Sequence, residues 1–122
     1  ARCGVRLHYG GLLPDGRIDV EDLERKIERF RPKIVAVTQL ANSLGTIPPL
    51  KRIIDTAHSV GARVLVDGCQ GICHLETNVS ELGCDFYVFS AHKLYGPTGV
   101  GALYGTIDAL QQMEPLLGGG NM

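Results

Sequence analysis

The sequence lacks tryptophan, has only three phenylalanines and two methionines among 122 residues, and shows no charge excess of either sign. Twelve basic and 13 acidic side chains leave a formal net charge of −1, so the basic excess that drives nucleic-acid binding is missing. Apolar runs such as residues 34–37 and 86–89 fall far short of the roughly 20 residues that span a membrane. We therefore expect neither nucleic-acid binding nor membrane insertion.

Cysteine is scarce and shows no metal-ligand spacing. The four cysteines are Cys3, Cys69, Cys73 and Cys84. A chain of this size with 44% apolar residues does not need disulfides to fold, and Cys69-x-x-x-Cys73-His74 only loosely resembles a zinc site. We expect small buried thiols in a reducing, cytoplasmic compartment. The first residue is alanine and no leader follows it, so we expect a piece of a longer protein.

Strand patterns alternate with helix patterns along the chain, which predicts an α/β domain with a mostly parallel sheet and flanking helices. The β-branched run at residues 34–38 is typical of a strand covered on both faces. The predicted strands are residues 5–9, 34–38, 64–67, 86–90 and 100–104. The predicted helices are residues 19–30, with Asp19 as N-cap, 50–60, and 107–113, with a short helical piece between residues 70 and 82.

Three polar clusters follow predicted strands, where α/β sheets bind ligands. They are the loop at residues 38–45, which contains Asn42, then Asp67 to Gln70, and then Ser90 to Lys93. We expect all three to face one crevice. Asp67 is interpreted either as a cap for the next segment or as a buried carboxylate awaiting a cationic partner.

Lys93 is the only basic residue after position 64 and lies in a glycine-rich, apolar neighbourhood. Such a confined amine can attack a carbonyl. Ser90 and His92 are either turn and cap residues or, with backbone N–H groups, a phosphate site. An acid, a phosphate site and an isolated lysine are what pyridoxal 5′-phosphate needs. The nearby glycines do not follow the Gly-x-Gly-x-x-Gly order, which disfavours a nucleotide loop.

Residues 66–71 (VDGCQG) and 85–101 (DFYVFSAHKLYGPTGVG) resemble the class V aminotransferase family, and within it the SufS/CsdA-type cysteine desulfurases, also called selenocysteine lyases. Residues 41–46 and 118–122 are also similar. The resemblance implies the large domain of a fold-type-I enzyme, with residues 1–122 as its central segment and the small domain absent. It also implies a homodimer, an amino-acid substrate, a sulfur-acceptor protein and a role in sulfur metabolism and iron–sulfur cluster assembly.

The resemblance also implies residue roles. Lys93 forms the Schiff base with the cofactor and moves protons on the substrate carbon. Asp67 pairs with the pyridine nitrogen, and Gln70 binds the ring hydroxyl oxygen. Ser90 and His92 bind the phosphate, and Asn42 lies near the ring and the substrate carboxylate. The glycines at 118–120 reach toward the neighbouring subunit.

The sequence departs from the family pattern in several respects. Cys69 replaces a common alanine, and Asn121 replaces a serine or lysine. The family's ring-stacking histidine lies upstream of this segment, while its persulfide cysteine and substrate-binding arginine lie downstream. None of the four cysteines corresponds to that persulfide cysteine. The activity implied is therefore cysteine desulfuration in the parent protein. The alternatives are another class V aminotransferase or epimerase, or a non-catalytic binding module formed by the isolated segment.

Overall fold

Four strands form one sheet in their order along the chain, as seen in a computed structural model that describes residues 4–114. Strands β1 to β3 are parallel, and β4 runs antiparallel to β3. The strands are β1 (Ile34–Thr38), β2 (Arg63–Asp67), β3 (Phe86–Ser90) and β4 (Gly101–Gly105). The helices are α1 (Val20–Phe30), α2 (Leu50–Ser59), α3 (Gly71–His74), α4 (Val79–Leu82) and α5 (Ile107–Gln111), with a 3₁₀ turn, η1 (Ala91–Leu94).

Helix α1 begins where the capping pattern predicts. The Asp19 carboxylate accepts a hydrogen bond from the Asp22 backbone N–H at 2.8 Å, which satisfies a donor that the helix itself leaves unpaired. The helix ends at Arg31, whose left-handed backbone conformation (φ 42°) precedes Pro32. The apolar stripe turns Val20 and Ile27 into the core.

The core lies between the two long helices and one face of the sheet. Ile53, Ile54 and Ala57 of α2 pack in the same buried cluster as Val64 and Val66 of β2. All five are almost completely excluded from water. Fully burying side chains of this size contributes about 1.5–3 kcal/mol each for valine and isoleucine, so this layer provides the main stabilisation of the sheet.

The opposite face of the sheet is open at β1 within residues 4–114, which corrects the expectation that this strand is covered on both sides. Val35 and Val37 are buried, whereas Ile34 and Ala36 point the other way and are exposed. The reason is that α1 and α2 both belong to the single cluster on the Val35 side. A continuous apolar run therefore indicates a strand, but it does not show what covers each face.

The strand predicted at residues 5–9 is wrong. Val5, Leu7 and Tyr9 are all largely exposed, and no strand of the described sheet pairs with them. Only an isolated bridge between Leu12 and Ile18 forms nearby. Alternating apolar residues become a strand only when a partner supplies the ladder hydrogen bonds and buries one face.

The remaining elements follow the predictions with shifted ends. The helical piece between residues 70 and 82 is the two short helices α3 and α4, and the last helix ends at Gln111. The fifth predicted strand is β4, one residue later than expected. None of the helices between residues 4 and 114 is long and apolar enough to cross a membrane. The glycines at 118–120, together with Cys3 and Asn121, lie outside the described residues.

Candidate functional site

The carboxyl ends of the three parallel strands meet at one edge of the sheet. Thr38 is in register with Asp67, and Asp67 is in register with Val88 two residues before Ser90. The Gln39 backbone N–H donates to the Asp67 carbonyl at 2.9 Å, and the Gly68 N–H donates to the Val88 carbonyl at 2.8 Å. These bonds continue the sheet past its last paired residues and bring the three polar clusters to one edge.

Asp67 is exposed at the end of β2, which corrects the interpretation of a buried carboxylate. It belongs to the open face of the sheet, in register with Thr38 and Val88. One oxygen, Oδ1, accepts a hydrogen bond from the Cys69 N–H at 2.9 Å and so braces the turn. Within residues 4–114 the other oxygen, Oδ2, makes no hydrogen bond. Asp67 therefore stabilises the turn with Oδ1 and keeps Oδ2 as an exposed hydrogen-bond acceptor.

Gln70 joins the second polar cluster to the first. Its side-chain amide donates a hydrogen bond to the Asn42 side-chain carbonyl, 28 positions earlier in the chain. Both side chains lie at the sheet edge that carries Asp67. The structure thus brings together Asn42 and Gln70, two of the predicted site residues, through direct contact.

Ser90 joins the second cluster to the third. Its hydroxyl oxygen lies 3.4 Å from the Cys69 thiol sulfur. Ser90 also occupies the cap position of η1 without making a side-chain capping bond, so the interpretation as a cap is not supported. The hydroxyl is free to turn toward a ligand at the sheet edge.

Lys93 and His92 follow Ser90 in the turn η1. The Lys93 side chain is half-buried and His92 is exposed, and neither side chain has a hydrogen-bond partner among residues 4–114. The turn is held against β4 by the Ala91 N–H, which donates to the Val100 carbonyl at 2.9 Å. A Cβ at Gly101 would approach the Phe89 carbonyl to 2.7 Å, so glycine permits this close approach.

Beneath the site lies a buried polar pair that sequence reasoning missed. The Tyr87 hydroxyl donates to the Gln39 side-chain carbonyl at 2.5 Å, and the Gln39 amide donates to the Thr77 hydroxyl at 3.0 Å. Burial raises the pKa of the Tyr87 phenol, so it keeps its proton and stays a donor. The glycines at 68 and 71 were the available signal, since both pack directly on this pair.

A cluster of charged side chains lies at the other end of the sheet, where the parallel strands begin. The buried Asp85 carboxylate accepts hydrogen bonds from the His58 ring, the Arg63 guanidinium and the Val64 N–H at 2.7–2.8 Å. Burial alone would raise the pKa of Asp85, but these donors outweigh it and lower the pKa below its ordinary value. This network ties α2 to the first residues of β2 and β3.

The described cysteines are free thiols. Cys84 is buried, as expected, and burial raises its pKa, which disfavours the reactive thiolate. Cys69 and Cys73 are only half-buried, which corrects the expectation that all are core residues. Cys69 lies beside the Ser90 hydroxyl and the Cys73 thiol donates to the Gln70 carbonyl at 3.3 Å, so both lie in the segment after β2 and outside the core cluster.

The chemistry of the donor set fits pyridoxal phosphate. The site edge offers one unpaired carboxylate oxygen, a side-chain amide, a hydroxyl and an imidazole in a turn, and an amine without an acidic partner among residues 4–114. These groups match a pyridinium nitrogen, a ring hydroxyl, a phosphate and an aldehyde, respectively. The side chains along this edge of the sheet thus offer a chemically suitable partner for each of the four groups.

Comparison with known proteins shows the family of this chain. The family Aminotransferase class-V matches residues 1–122. The chain is 50% identical over 121 residues to a cysteine desulfurase of Enterobacter sp. (strain 638), covering 99% of this chain and 30% of that protein. It is 59% identical over 92 residues to a probable cysteine desulfurase of Mycobacterium leprae (strain TN), covering 75% of this chain and 15% of that protein.

Solved structures show the same fold. The cysteine desulfurase CsdA from Escherichia coli superimposes with a TM-score of 0.79 at 45% identity, covering 91% of this chain and 28% of that one. The apo cysteine desulfurase from Thermococcus onnurineus NA1 gives 0.86 at 37% identity, covering 96% and 29%. The chain belongs to the class-V aminotransferase family and has its pyridoxal-phosphate-enzyme fold. It spans about 30% of the length of the full-coverage relatives.

Proposed function

We propose that this chain is the central segment of the cofactor-binding domain of a pyridoxal-phosphate-dependent cysteine desulfurase. Such an enzyme removes sulfur from L-cysteine and leaves alanine, with the sulfur carried as a persulfide on an enzyme cysteine. The observation that carries the proposal is the junction of Asn42, Gln70, Asp67 and Ser90 at the sheet edge that leads into the Lys93 turn. The relatives named cysteine desulfurase support the choice of reaction.

The polar side chains at the sheet edge would hold the cofactor from several sides. Asp67 Oδ2 would accept the hydrogen bond of the pyridinium nitrogen, while Oδ1 keeps the carboxylate anchored to the turn. The Gln70 amide, already in contact with Asn42, would donate to the ring hydroxyl oxygen. Ser90 and His92 would bind the phosphate through hydroxyl and imidazole donors.

Lys93 would bond through its amine to the cofactor aldehyde with loss of water. Once the substrate amine displaces it, the freed amine would move a proton at the substrate α-carbon. When bound, pyridoxal phosphate supplies an aldehyde and an electron-withdrawing ring that accepts the electrons released at that carbon. The negative charge of Asp67 favours the protonated ring nitrogen on which that withdrawal depends. Asn42 would orient the substrate carboxylate through its amide. None of Cys69, Cys73 and Cys84 is proposed as the sulfur nucleophile.

The proposal extends to the parent protein's partners. A homodimer, an amino-acid substrate and a sulfur-acceptor protein in iron–sulfur cluster assembly follow from the family resemblance. The free thiols of Cys69, Cys73 and Cys84 are consistent with a reducing, cytoplasmic location. We do not propose a membrane or nucleic-acid partner.

Reconstitution of the full-length protein with pyridoxal phosphate tests the proposal. We expect a visible absorption band in the parent protein and in Lys51→Ala, because Lys51 lies on α2 and pairs with Asp55. We expect Lys93→Ala to lose this band and cysteine-dependent sulfide release. If Lys93→Ala absorbs and reacts like the parent, the assignment of Lys93 is wrong.

A different class V activity is the alternative within the family, since a ureidoglycine–glyoxylate aminotransferase from Bacillus subtilis shares the fold at a TM-score of 0.68 and 26% identity. The reaction products distinguish the two activities. With a thiol added to reduce the persulfide, a desulfurase converts L-cysteine to alanine and sulfide in equal amounts, whereas an aminotransferase passes an amino group to a keto acid. Formation of a keto acid from L-cysteine without sulfide would favour the aminotransferase.

A further inference from the structure

The turn between β2 and α3 rests on Tyr87 and Gln39. The Tyr87 hydroxyl donates to the Gln39 side-chain carbonyl at 2.5 Å, and both side chains are buried. The Gln39 backbone N–H also donates to the Asp67 carbonyl at 2.9 Å. Gln39 thus contacts the Asp67 backbone through its own backbone N–H, and its side chain accepts a hydrogen bond from Tyr87 of β3.

Tyr87 and Gln39 also pack directly against the two ends of the turn at residues 68–71. A Cβ at Gly68 would lie 1.9 Å from Tyr87 Cζ, and a Cβ at Gly71 would lie 2.0 Å from Gln39 Oε1. The backbone of residues 68–71 therefore packs directly on the phenol ring and the side-chain amide. Any movement of either side chain changes the space that defines the turn.

The orientation of Gln39 is itself fixed by two hydrogen bonds. Its carbonyl accepts from Tyr87, and its amide donates to the Thr77 hydroxyl at 3.0 Å. Because both ends of the amide are used, the side chain cannot flip without losing a buried hydrogen bond. Tyr87, Gln39 and Thr77 thus form a support whose geometry reaches the turn that carries Asp67 and Gln70.

We propose that Tyr87 and Gln39 are positioning residues that orient the Asp67 carboxylate and the Gln70 amide toward a pyridoxal ring. This inference rests on the proposed function for its ligand, whereas the support of the turn itself can be tested without cofactor. Tyr87 and Gln39 are buried beneath the turn and act through the backbone of residues 67–71. Removing the Tyr87 hydroxyl leaves a buried acceptor on Gln39 and loosens the turn.

Hydrogen exchange of the cofactor-free full-length protein tests the support directly. In Tyr87→Phe we expect the amides of Gly68 and Cys69 to exchange about tenfold faster, because a buried acceptor has lost its donor. Tyr104→Phe is the matched control: Tyr104 is the neighbour of Tyr87 on β4, and its hydroxyl makes no hydrogen bond within residues 4–114. Equal exchange in Tyr87→Phe and the parent would overturn the inference.

Gln39→Met provides a second variant that removes the same hydrogen bond from the other side. We expect it to accelerate exchange at Gly68 and Cys69 as Tyr87→Phe does, while far-UV circular dichroism stays that of the parent. If Gln39→Met accelerates exchange equally across the whole sheet, the pair stabilises the core in general and does not position the turn, and the inference is wrong.

A double-mutant cycle on the cofactor-loaded protein tests the orientation of Asp67. The readout is the pH midpoint of the visible absorption band, which responds to the charge beside the ring. We expect Tyr87→Phe to shift this midpoint in the parent background and to cause no further shift in Asp67→Asn. Equal shifts in both backgrounds would overturn positioning through Asp67. If the parent protein binds no pyridoxal phosphate, the proposed function fails, and the exchange result still decides whether Tyr87 supports the turn.

Discussion

Replacing Asp85 tests whether the charged cluster at the far end of the sheet stabilises the fold. The buried carboxylate accepts from the Val64 N–H at 2.8 Å, and Val64 is completely buried. In Asp85→Ala that N–H loses its partner where water cannot replace it, which costs about 1–3 kcal/mol. His58 and Arg63 have side chains that are 41% and 34% exposed, so water replaces much of their lost contact.

The urea midpoint of the full-length protein, followed by circular dichroism, measures this cost. Asp85→Asn should retain much of the stability, because its side-chain carbonyl can still accept from Val64 and His58. Asp108→Ala is the matched control, since Asp108 pairs with the same Arg63 but is 68% exposed. A midpoint for Asp85→Ala equal to that of Asp108→Ala would show that the buried carboxylate does not stabilise the fold.

The same cluster predicts an acid-sensitive contribution to stability. Because the folded protein lowers the pKa of Asp85 below 3.8, its contribution is present above that pH and is lost as pH falls through the lowered value. Asp85→Asn has no ionisable group there, so its urea midpoint should fall less between pH 5 and the acid range than that of the parent. An identical decline in both proteins would contradict the assignment.

Three further substitutions follow from local contacts. Gly68→Ala should destabilise the fold by about 1–3 kcal/mol, seen as a lower urea midpoint, because the new methyl group would lie 1.9 Å from the Tyr87 ring. Asp19→Ala should cost about 0.5–2 kcal/mol in the same assay, through loss of the α1 cap. Cys69→Ala should leave cofactor affinity within about threefold in an absorbance titration, since its thiol makes only a 3.4 Å contact with Ser90.

The parts of the fold that could be predicted were those with local signals. Asp19 and the apolar stripe of α1 specify that helix through capping and periodicity, and the β-branched run of β1 specifies a strand. The failed strand at residues 5–9 has the same alternation but no partner in the described sheet. Strand formation depends on a distant partner, which a local pattern does not contain.

In the candidate site, too, residues with a local sequence signal could be predicted and contacts between distant residues could not. Asp67 and Ser90 end strands and Lys93 lies in the turn after β3, so the rule that ligands bind at carboxyl ends was enough to select them. The contact of Gln70 with Asn42 joins residues 28 positions apart, and the Tyr87–Gln39 hydrogen bond joins residues 48 apart. Tyr87 lies in a run that the sequence pattern predicts only as a strand. Its polar role appears only when the fold places it beneath the turn.

Chemical labelling of the cofactor attachment site tests whether Lys93 binds pyridoxal phosphate. The full-length protein is loaded with pyridoxal phosphate, reduced with borohydride, digested and analysed by mass spectrometry. We expect the added pyridoxyl mass on Lys93, with none on exposed lysines such as Lys33 or Lys51. A label on another residue, or no label on Lys93 in a protein that has bound the cofactor, would contradict it.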